Sequence, residues 1–343
     1  MSTVNLKKLA TELHLSVSTV SKALMNSHEI SAETKERVLQ LAKQLNYIPN
    51  PYASSLRRKT SKTIAVVIPE VADSFFSIAI NGIEAIAQDK GYHVLIYLTH
   101  ESFAKEKAIL NDFQSGRVDG VLMSLTSETV DMAPIRDLYA RGIPVIFFDR
   151  VCEEIETAKI TTDDFESGYK ATQHLIECGC KKIAFLSFSK NLSISNKRMD
   201  GYKQALTDHN IAFNEADLIF CTNDDADNYA LLKNTMAQKK HPDGIIASVE
   251  KLTTTAYLVC RELKLSIPDN VKVVSFSNLQ SAPILNPALT TITQPAFDMG
   301  KTAAALLFRA LEKPGFSLKK ENHIIPSTLI VRDSTGLEIK NEP

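Results

Sequence analysis

The sequence predicts a small all-α headpiece followed by a larger two-lobed α/β core with parallel sheets. Apolar residues recur at helical spacing over residues 5–47, whereas from residue 63 short apolar runs alternate with amphipathic helical segments. The charge divides at the same place. Residues 1–62 carry ten bases and four acids, a net charge of +6, and the remaining residues hold 29 bases and 36 acids. A basic module on an acidic body indicates a polyanionic partner for the headpiece.

The headpiece pattern predicts three short helices with one apolar stripe each. Ser16 and Ser31 are suitable N-caps for the second and third helices, and a three-residue turn at 14–16 joins the first two. The stripes comprise Leu6, Leu9, Ala10 and Leu13, then Val20, Ala23 and Leu24, then Val38, Leu41, Ala42 and Leu45. This arrangement is typical of helix-turn-helix proteins.

Residues 46–62 differ from both neighbours and predict a linker. Asn50 can cap a helix and Pro51 suits a first helical position, so residues 51–58 can form about two turns. A helix that short is marginal in water by itself. We therefore expect it to fold only against a partner.

The core pattern predicts strands and helices in strict alternation. Strands are expected at 63–68, 92–98, 120–124, 144–149, 182–187, 218–221, 244–248 and 271–275, and helices at 76–90, 103–115, 133–141, 168–178, 198–209, 226–238 and 254–263. Such alternation favours parallel sheets covered by helices, here in two lobes. Ligands of these sheets bind at the carboxyl ends of the strands, so the cleft between the lobes is the expected pocket.

Composition and motifs exclude several classes of protein. With 44% hydrophobic and 23% charged residues the chain is ordinary globular protein. It has no apolar run of about 20 residues and no secretory signal at its start, so we expect a cytoplasmic protein. Its five cysteines are expected to be reduced structural thiols. Nucleotide-binding glycine loops, H-E-x-x-H and G-x-S-x-G are missing, so we expect no enzyme, no cofactor and no metal site.

The start of the second helix offers a surface for DNA. Val17, Ser18, Ser21 and Lys22 point away from the apolar stripe. Small hydroxyls can approach phosphates, a lysine can reach a guanine edge, and valine can pack on a thymine methyl group. An ordinary amphipathic helix with a polar outer face would show the same pattern, so the alternative stays open on this evidence.

Motifs along nearly the whole chain resemble the lactose-repressor/galactose-repressor (LacI/GalR) family of bacterial transcription regulators. In the headpiece they are L-S-V-S-T-V-S-K-A-L at 15–24, I-S-A-E-T at 30–34 and L-N-Y-I-P-N at 45–50. In the core they lie at 117–120, 142–144, 149–150, 198–202, 267–269, 289–295 and 329–334. The order and spacing of the motifs together are specific, although each alone is weak.

The resemblance implies a homodimeric repressor of two-lobed, periplasmic-binding-protein-like fold that reads a pseudopalindromic operator. It places the base-reading positions at Val17, Ser18 and Lys22, a hinge helix at 50–58, and at Leu56 a wedge that kinks the duplex. Leu56 could instead pack against a lobe. The full set of expected DNA contacts is Ser16, Val17, Ser18, Thr19, Ser21, Lys22, Asn50, Tyr52, Ala53, Leu56 and Arg57. No leucine-heptad tail follows residue 334, so a dimer is expected rather than a tetramer.

The resemblance also implies a small-molecule effector, such as a sugar or sugar-derived metabolite, bound between the lobes. The matching positions are Phe75, Phe76, Asp149, Arg198, Ser277 and Gln294. An arginine and a carboxylate across a cleft with an aromatic floor can hold a hydroxylated or anionic ligand. Arg198 in a salt bridge within one lobe, and Asp149 as a capping carboxylate, are the structural alternatives.

The chain departs from the family pattern in the headpiece and in the core, and in the headpiece Met25 precedes Asn26 where many members place Asn directly. His14 stands in the turn where glycine is usual, at a position that often needs a positive φ. Val249-Glu250 replaces an Asn-Asp pair, and Phe276-Ser277-Asn278 replaces Phe-Asp-Asp. Because Ser277 stands where the family usually has a carboxylate that binds sugar hydroxyls, the sequence does not predict a conventional free-sugar pocket.

We expect a DNA-binding domain at 1–48, a hinge at 49–62 and a ligand-binding and dimerisation domain at 63–343. Its first lobe is expected at about 63–160 and 292–323, and its second at about 161–291 and 324–340. Two rivals remain: a two-lobed sugar-binding protein without DNA regulation, and a two-lobed enzyme that uses Asp149 and Arg198. The first predicts a secretory signal and no basic headpiece, and the second predicts a nucleophile or cofactor loop.

Overall fold

A computed structural model describes residues 5–47 and 60–336. The chain divides into two compact units, residues 1–61 and 62–343. The first unit contains α1 (Leu6–Leu13), α2 (Val17–Leu24) and α3 (Ala32–Gln44). The three helices enclose one small core in which Leu9, Val20 and Val38 are fully buried. The predicted all-α headpiece is confirmed.

The second unit contains two six-stranded sheets, one in each lobe. The first sheet has the order β11-β5-β4-β3-β1-β2, in which all neighbours pair in parallel. The second has the order β12-β10-β9-β8-β6-β7 and is parallel except at β12, which pairs antiparallel with β10. The parallel two-lobed core is confirmed, with one antiparallel edge strand that the alternation did not predict.

The strands and helices of the core follow one another closely. The strands of the first lobe are β1 (Thr63–Ile68), β2 (His93–Leu98), β3 (Gly120–Met123), β4 (Val145–Phe148), β5 (Lys159–Thr162) and β11 (Asn322–Ile325). Those of the second are β6 (Ile183–Ser187), β7 (Leu218–Phe220), β8 (Gly244–Ala247), β9 (Lys272–Phe276), β10 (Thr290–Thr293) and β12 (Thr328–Ile330). The helices are α4 (Ser74–Asp89), α5 (Phe103–Phe113), α6 (Ala133–Ala140), α7 (Asp164–Glu177), α8 (Ser193–Asp208), α9 (Asp225–Met236), α10 (Lys251–Glu262) and α11 (Ala296–Glu312).

The chain passes from one lobe to the other at three points. Strands β5, β10 and β11 each end immediately before such a crossing, at residues 162, 293 and 325. Each crossing therefore lies two residues later than the expected lobe boundary. The reason is that each of these strands stays in its own sheet for its full length, which the sequence pattern did not mark.

One closely packed pair of helices supports each lobe. A Cβ atom on Gly300 of α11 would lie 2.0 Å from the carbonyl oxygen of Ala79 on α4. In the second lobe, a Cβ atom on Gly168 of α7 would lie 2.1 Å from the carbonyl oxygen of Arg198 on α8. Both helix pairs therefore depend on glycine where their backbones meet.

Among the described residues, no helix has both the length and the apolar character that crossing a membrane requires. The five cysteines are all free thiols, and only Cys178 is not fully buried.

Candidate functional site

The N-terminus of α2 is fixed by its cap and by its buried face. The Ser16 hydroxyl accepts a hydrogen bond from the Thr19 amide at 3.0 Å, which is the N-cap that the sequence predicted. Val20 is fully buried in the headpiece core, whereas Ser18 is exposed and Val17 is 41% exposed. The first turn of α2 therefore presents an apolar and a hydroxyl group to solvent on a helix that packing holds in place.

Lys22 lies on the next turn of α2 and contacts a carboxylate. Its ammonium group forms a salt bridge with Glu29, which follows α2 in the chain. Both side chains are well exposed, so water screens the pair and it adds little to stability. Ser21 and Thr19 are partly exposed on the same helix. The pairing of Lys22 with Glu29 has no signal in the sequence pattern.

His14 adopts the backbone conformation that glycine usually supplies in this turn. Its φ is 55°, in the left-handed region, and the Leu15 amide donates to the carbonyl of Ala10 at 3.0 Å. This bond closes a helix C-cap of the Schellman type. The expectation of a positive φ at His14 is confirmed. The remaining expected DNA contacts, Asn50, Tyr52, Ala53, Leu56 and Arg57, lie outside the described residues.

All six residues that were expected at the effector site line one small cavity between the lobes. They are Phe75, Phe76, Asp149, Arg198, Ser277 and Gln294, and the cavity measures about 20 Å³. They meet because the loops and helices that follow the carboxyl ends of the strands of both sheets converge there, as expected for parallel sheets. The cavity also involves Asp73, Arg150, Ile194, Val249, Glu250, Phe276 and Asn278. Of these, the sequence interpretation noted Val249, Glu250, Phe276 and Asn278 only as departures from the family pattern.

Arg198 is fully buried and makes contacts within its own lobe. Its Nε donates to Asp164 at 2.8 Å, its Nη1 donates to the carbonyl of Ser248 at 2.6 Å, and its guanidinium lies over the Phe276 ring. The structural alternative, a salt bridge within one lobe, is therefore present. Its Nη2 atom, however, is buried without a hydrogen-bond partner among the described residues. Arg198 therefore lines the small cavity with one donor that no described residue accepts.

Asp149 lies directly after β4 with a φ of 61°, which turns its carboxylate into the cleft. The side-chain amide of Gln294 lies 3.4 Å from it, and Arg150 follows it in the chain. Burial raises the pKa of Asp149 to about 6, although Arg150 and Arg198 both act to lower it. Arg150 is itself paired at 2.7 Å with Glu101, whose pKa that pairing lowers despite burial. The loop between β4 and β5 thus supplies one carboxylate to the cleft.

The raised pKa of Asp149 predicts a dependence of stability on pH. Between about pH 4 and 6 the folded chain keeps a proton that the unfolded chain releases, so the free energy of unfolding should fall as pH rises through this window. One such group contributes up to about 1.4 kcal/mol per pH unit. Asp149→Asn cannot titrate there, and urea unfolding at several pH values should give a flatter curve. An unchanged slope in this variant would show that Asp149 does not hold the proton.

A second cavity of about 910 Å³ adjoins the first. It runs along α10, shares Asp73 and Glu250 with the small cavity, and contains none of the six expected effector residues. Asp73 and Glu250 therefore stand where the two spaces meet. Burial and the neighbouring Glu250 raise the pKa of Asp73 to about 7.

A capped helix that presents polar side chains, together with a two-lobed core that encloses buried polar groups, is the organisation of a DNA-binding transcription regulator under effector control. Residues 5–50 match the family of bacterial regulatory proteins named after lacI, and residues 61–333 match the periplasmic binding proteins and sugar-binding domain of the LacI family. The chain belongs to the LacI family. Both rival interpretations, the enzyme and the binding protein without DNA regulation, are wrong.

Relatives match along 79–97% of the chain. The ribose operon repressor of Halalkalibacterium halodurans is 30% identical over 332 residues, which cover 96% of each protein. The lac repressor dimer bound to operator and the anti-inducer ONPF has a TM-score of 0.81 at 21% identity and covers 97% of this chain and 99% of its own. A LacI family regulator from Enterococcus faecium with bound ribose has a TM-score of 0.70 at 26% identity and covers 79% of this chain and 98% of its own.

Proposed function

We propose that the chain is a homodimeric repressor that acts in the cytoplasm and reads a pseudopalindromic operator. The bases are read by Val17, Ser18 and Lys22 of α2, with Ser16, Thr19 and Ser21 on phosphates. The hinge at 49–62 supplies Asn50, Tyr52, Ala53 and Arg57, and Leu56 inserts into the minor groove. The observation that carries the proposal is the capped first turn of α2, whose outer side chains are exposed while Val20 anchors the helix.

The effector, by this proposal, is a small hydroxylated or anionic metabolite that binds between the lobes. The unpartnered Nη2 of Arg198 and the buried carboxylate of Asp149 support this class of ligand. Ribose is the first candidate, because a ribose-bound regulator from Enterococcus faecium and a ribose operon repressor are both similar to this chain. Ribose 5-phosphate is the second, because Ser277 stands where a sugar-gripping carboxylate is usual and an arginine favours phosphate.

The experiment that tests the proposal is selection of bound duplexes from a random pool, followed by titration of the selected duplex with salt. We expect a pseudopalindrome and a steep loss of affinity as salt rises, because lysine and arginine contacts release counterions from DNA. Binding without sequence preference, in the presence or absence of ribose and ribose 5-phosphate, would contradict the proposal.

Lys22→Ala should weaken binding to the selected operator by about 1–3 kcal/mol and relax the preference at one base pair in each half-site. The reason is that a lysine ammonium can donate to the guanine edge in the major groove. A repeated selection with the variant measures both effects. Lys43→Ala removes the same charge from the end of α3 and is the control, since it should leave the selected sequence unchanged. If Lys22→Ala also leaves the sequence unchanged, Lys22 does not read a base.

A further inference from the structure

Glu250 joins the two lobes through hydrogen bonds made by the chain itself. It lies in the second lobe, immediately before α10, and accepts hydrogen bonds from both the amide and the hydroxyl of Ser74 in the first lobe. The amide contact measures 3.0 Å. Within the second lobe the same carboxylate accepts the Ser277 hydroxyl at 2.6 Å and the Asn278 amide at 3.0 Å. The Glu250 carboxylate therefore accepts four hydrogen bonds, from donors on both sides of the cleft.

The position of these donors explains why a carboxylate suits this place. Ser74 is the first residue of α4, and the amide of a first helical residue has no acceptor within its helix. Glu250 also stands at the N-terminus of its own helix, α10. Helix N-termini attract negative charge, so the Glu250 carboxylate suits the N-terminus of α4, where it accepts the Ser74 amide, although it makes no capping hydrogen bond to its own helix.

Other contacts across the cleft agree with lobes held together. The guanidinium of Arg150, in the first lobe, lies 5.7 Å from the ring centroid of Phe188 in the second. The cavity that remains at the expected effector site measures about 20 Å³, whereas sites for small ligands typically enclose about 300–1,000 Å³. An effector therefore needs more space than the small cavity offers, and Glu250 lines that cavity.

We propose that Glu250 is a clasp that holds the two lobes closed and that an effector must displace it to bind. Breaking the contact between Ser74 and Glu250 would join the small cavity to the adjoining cavity of about 910 Å³, because Glu250 borders both. The closed arrangement is thus set by the protein, and the effector competes with the clasp. The inference rests on the proposed function only in assigning the cleft to an effector.

The Ser74 amide gives a direct measurement of the clasp. Its hydrogen-bond acceptor is Glu250, whereas the next amide, that of Phe75, donates to Asp73 within its own lobe at 2.9 Å. Residue-resolved hydrogen exchange of the full chain without added metabolite should show the Ser74 amide protected. In Glu250→Ala its exchange should become at least tenfold faster, while Phe75 stays protected, and small-angle scattering should show a larger radius of gyration.

Two further variants complete the test, one as a matched control and one as a conservative substitution. Glu262→Ala removes a carboxylate from the other end of α10, where it pairs with exposed Lys233, and should leave the Ser74 amide protected. Glu250→Gln retains an acceptor but not the charge, so its Ser74 amide should exchange faster than in the unmutated protein and more slowly than in Glu250→Ala. It takes the place of Glu250→Ala in the test if that variant is poorly folded. Fast exchange of the Ser74 amide in the unmutated protein, or equal rates in the unmutated protein and Glu250→Ala, would overturn the clasp.

The failure of the clasp is distinguishable from failure of the proposed function. Fast Ser74 exchange in a protein that selects a pseudopalindrome would overturn only the clasp. A protected Ser74 amide in a protein that selects no duplex would support the clasp and contradict the proposed function.

Discussion

Replacing Arg198 with methionine is expected to lower the free energy of unfolding of the core by about 3–5 kcal/mol. The Arg198 and Asp164 side chains are only 2% and 1% exposed and pair at 2.8 Å. Methionine fills much of the same space but leaves the Asp164 carboxylate buried without its cation. Urea unfolding at pH 7 measures the loss.

The control and the double variant separate burial from charge. Lys233→Met breaks an ion pair whose side chains are 40% and 47% exposed, and it should cost less than about 1 kcal/mol. Arg198→Met combined with Asp164→Leu should recover much of the lost stability, because no unpaired charge remains. A double variant as unstable as Arg198→Met alone would show that packing of Arg198, rather than its charge, explains the loss.

The pH dependence of this variant has a defined sign. Burial already raises the pKa of Asp164, and Arg198 is the main group that opposes the rise. Without Arg198 the pKa rises further, so the folded variant holds a proton that its unfolded form releases. The stability difference between the variant and the unmutated protein should therefore shrink as pH falls from 7 to 5.

The sequence predicted the fold because local patterns and the fold agree. The three headpiece helices follow from helical spacing alone, as shown by Ser16 at an N-cap and Val20 in the core. The parallel core follows from the alternation of strands and helices, since parallel strands need a helix to return. The antiparallel β12 was missed because three residues at the edge of a sheet carry no periodic signal.

The lining of the cleft was predicted only in part. Phe75, Asp149 and Arg198 were expected there through the family pattern, and strand topology explains why they meet. Glu250 was noted only as a departure, because its partner Ser74 lies 176 positions away in the sequence. Contacts between lobes depend on how far the lobes close, and no local property of the sequence encodes that distance.

Gly168→Ala should lower the free energy of unfolding of the core by about 1–3 kcal/mol. It should also reduce the contribution that Arg198 makes to that free energy. A Cβ atom at Gly168 would lie 2.1 Å from the carbonyl oxygen of Arg198 and 2.9 Å from its Cα atom. Helix α8 must therefore move away from α7, which begins at Asp164. Because the pair of Arg198 and Asp164 bridges these two helices, the same movement lengthens the buried salt bridge.

A double-mutant cycle measures that coupling, with Gly300→Ala as the matched control. A Cβ atom at Gly300 would lie 2.0 Å from the carbonyl oxygen of Ala79, so α11 and α4 in the first lobe suffer an equivalent clash. Arg198→Met should cost at least about 0.5 kcal/mol less in the Gly168→Ala background than in the unmutated protein, and the full amount in the Gly300→Ala background. Additivity in both backgrounds would mean that α7 and α8 absorb the methyl group without moving Arg198. Each glycine variant strains one helix pair. The coupling can therefore be assigned to the buried salt bridge only if the cost of Arg198→Met differs between the two backgrounds.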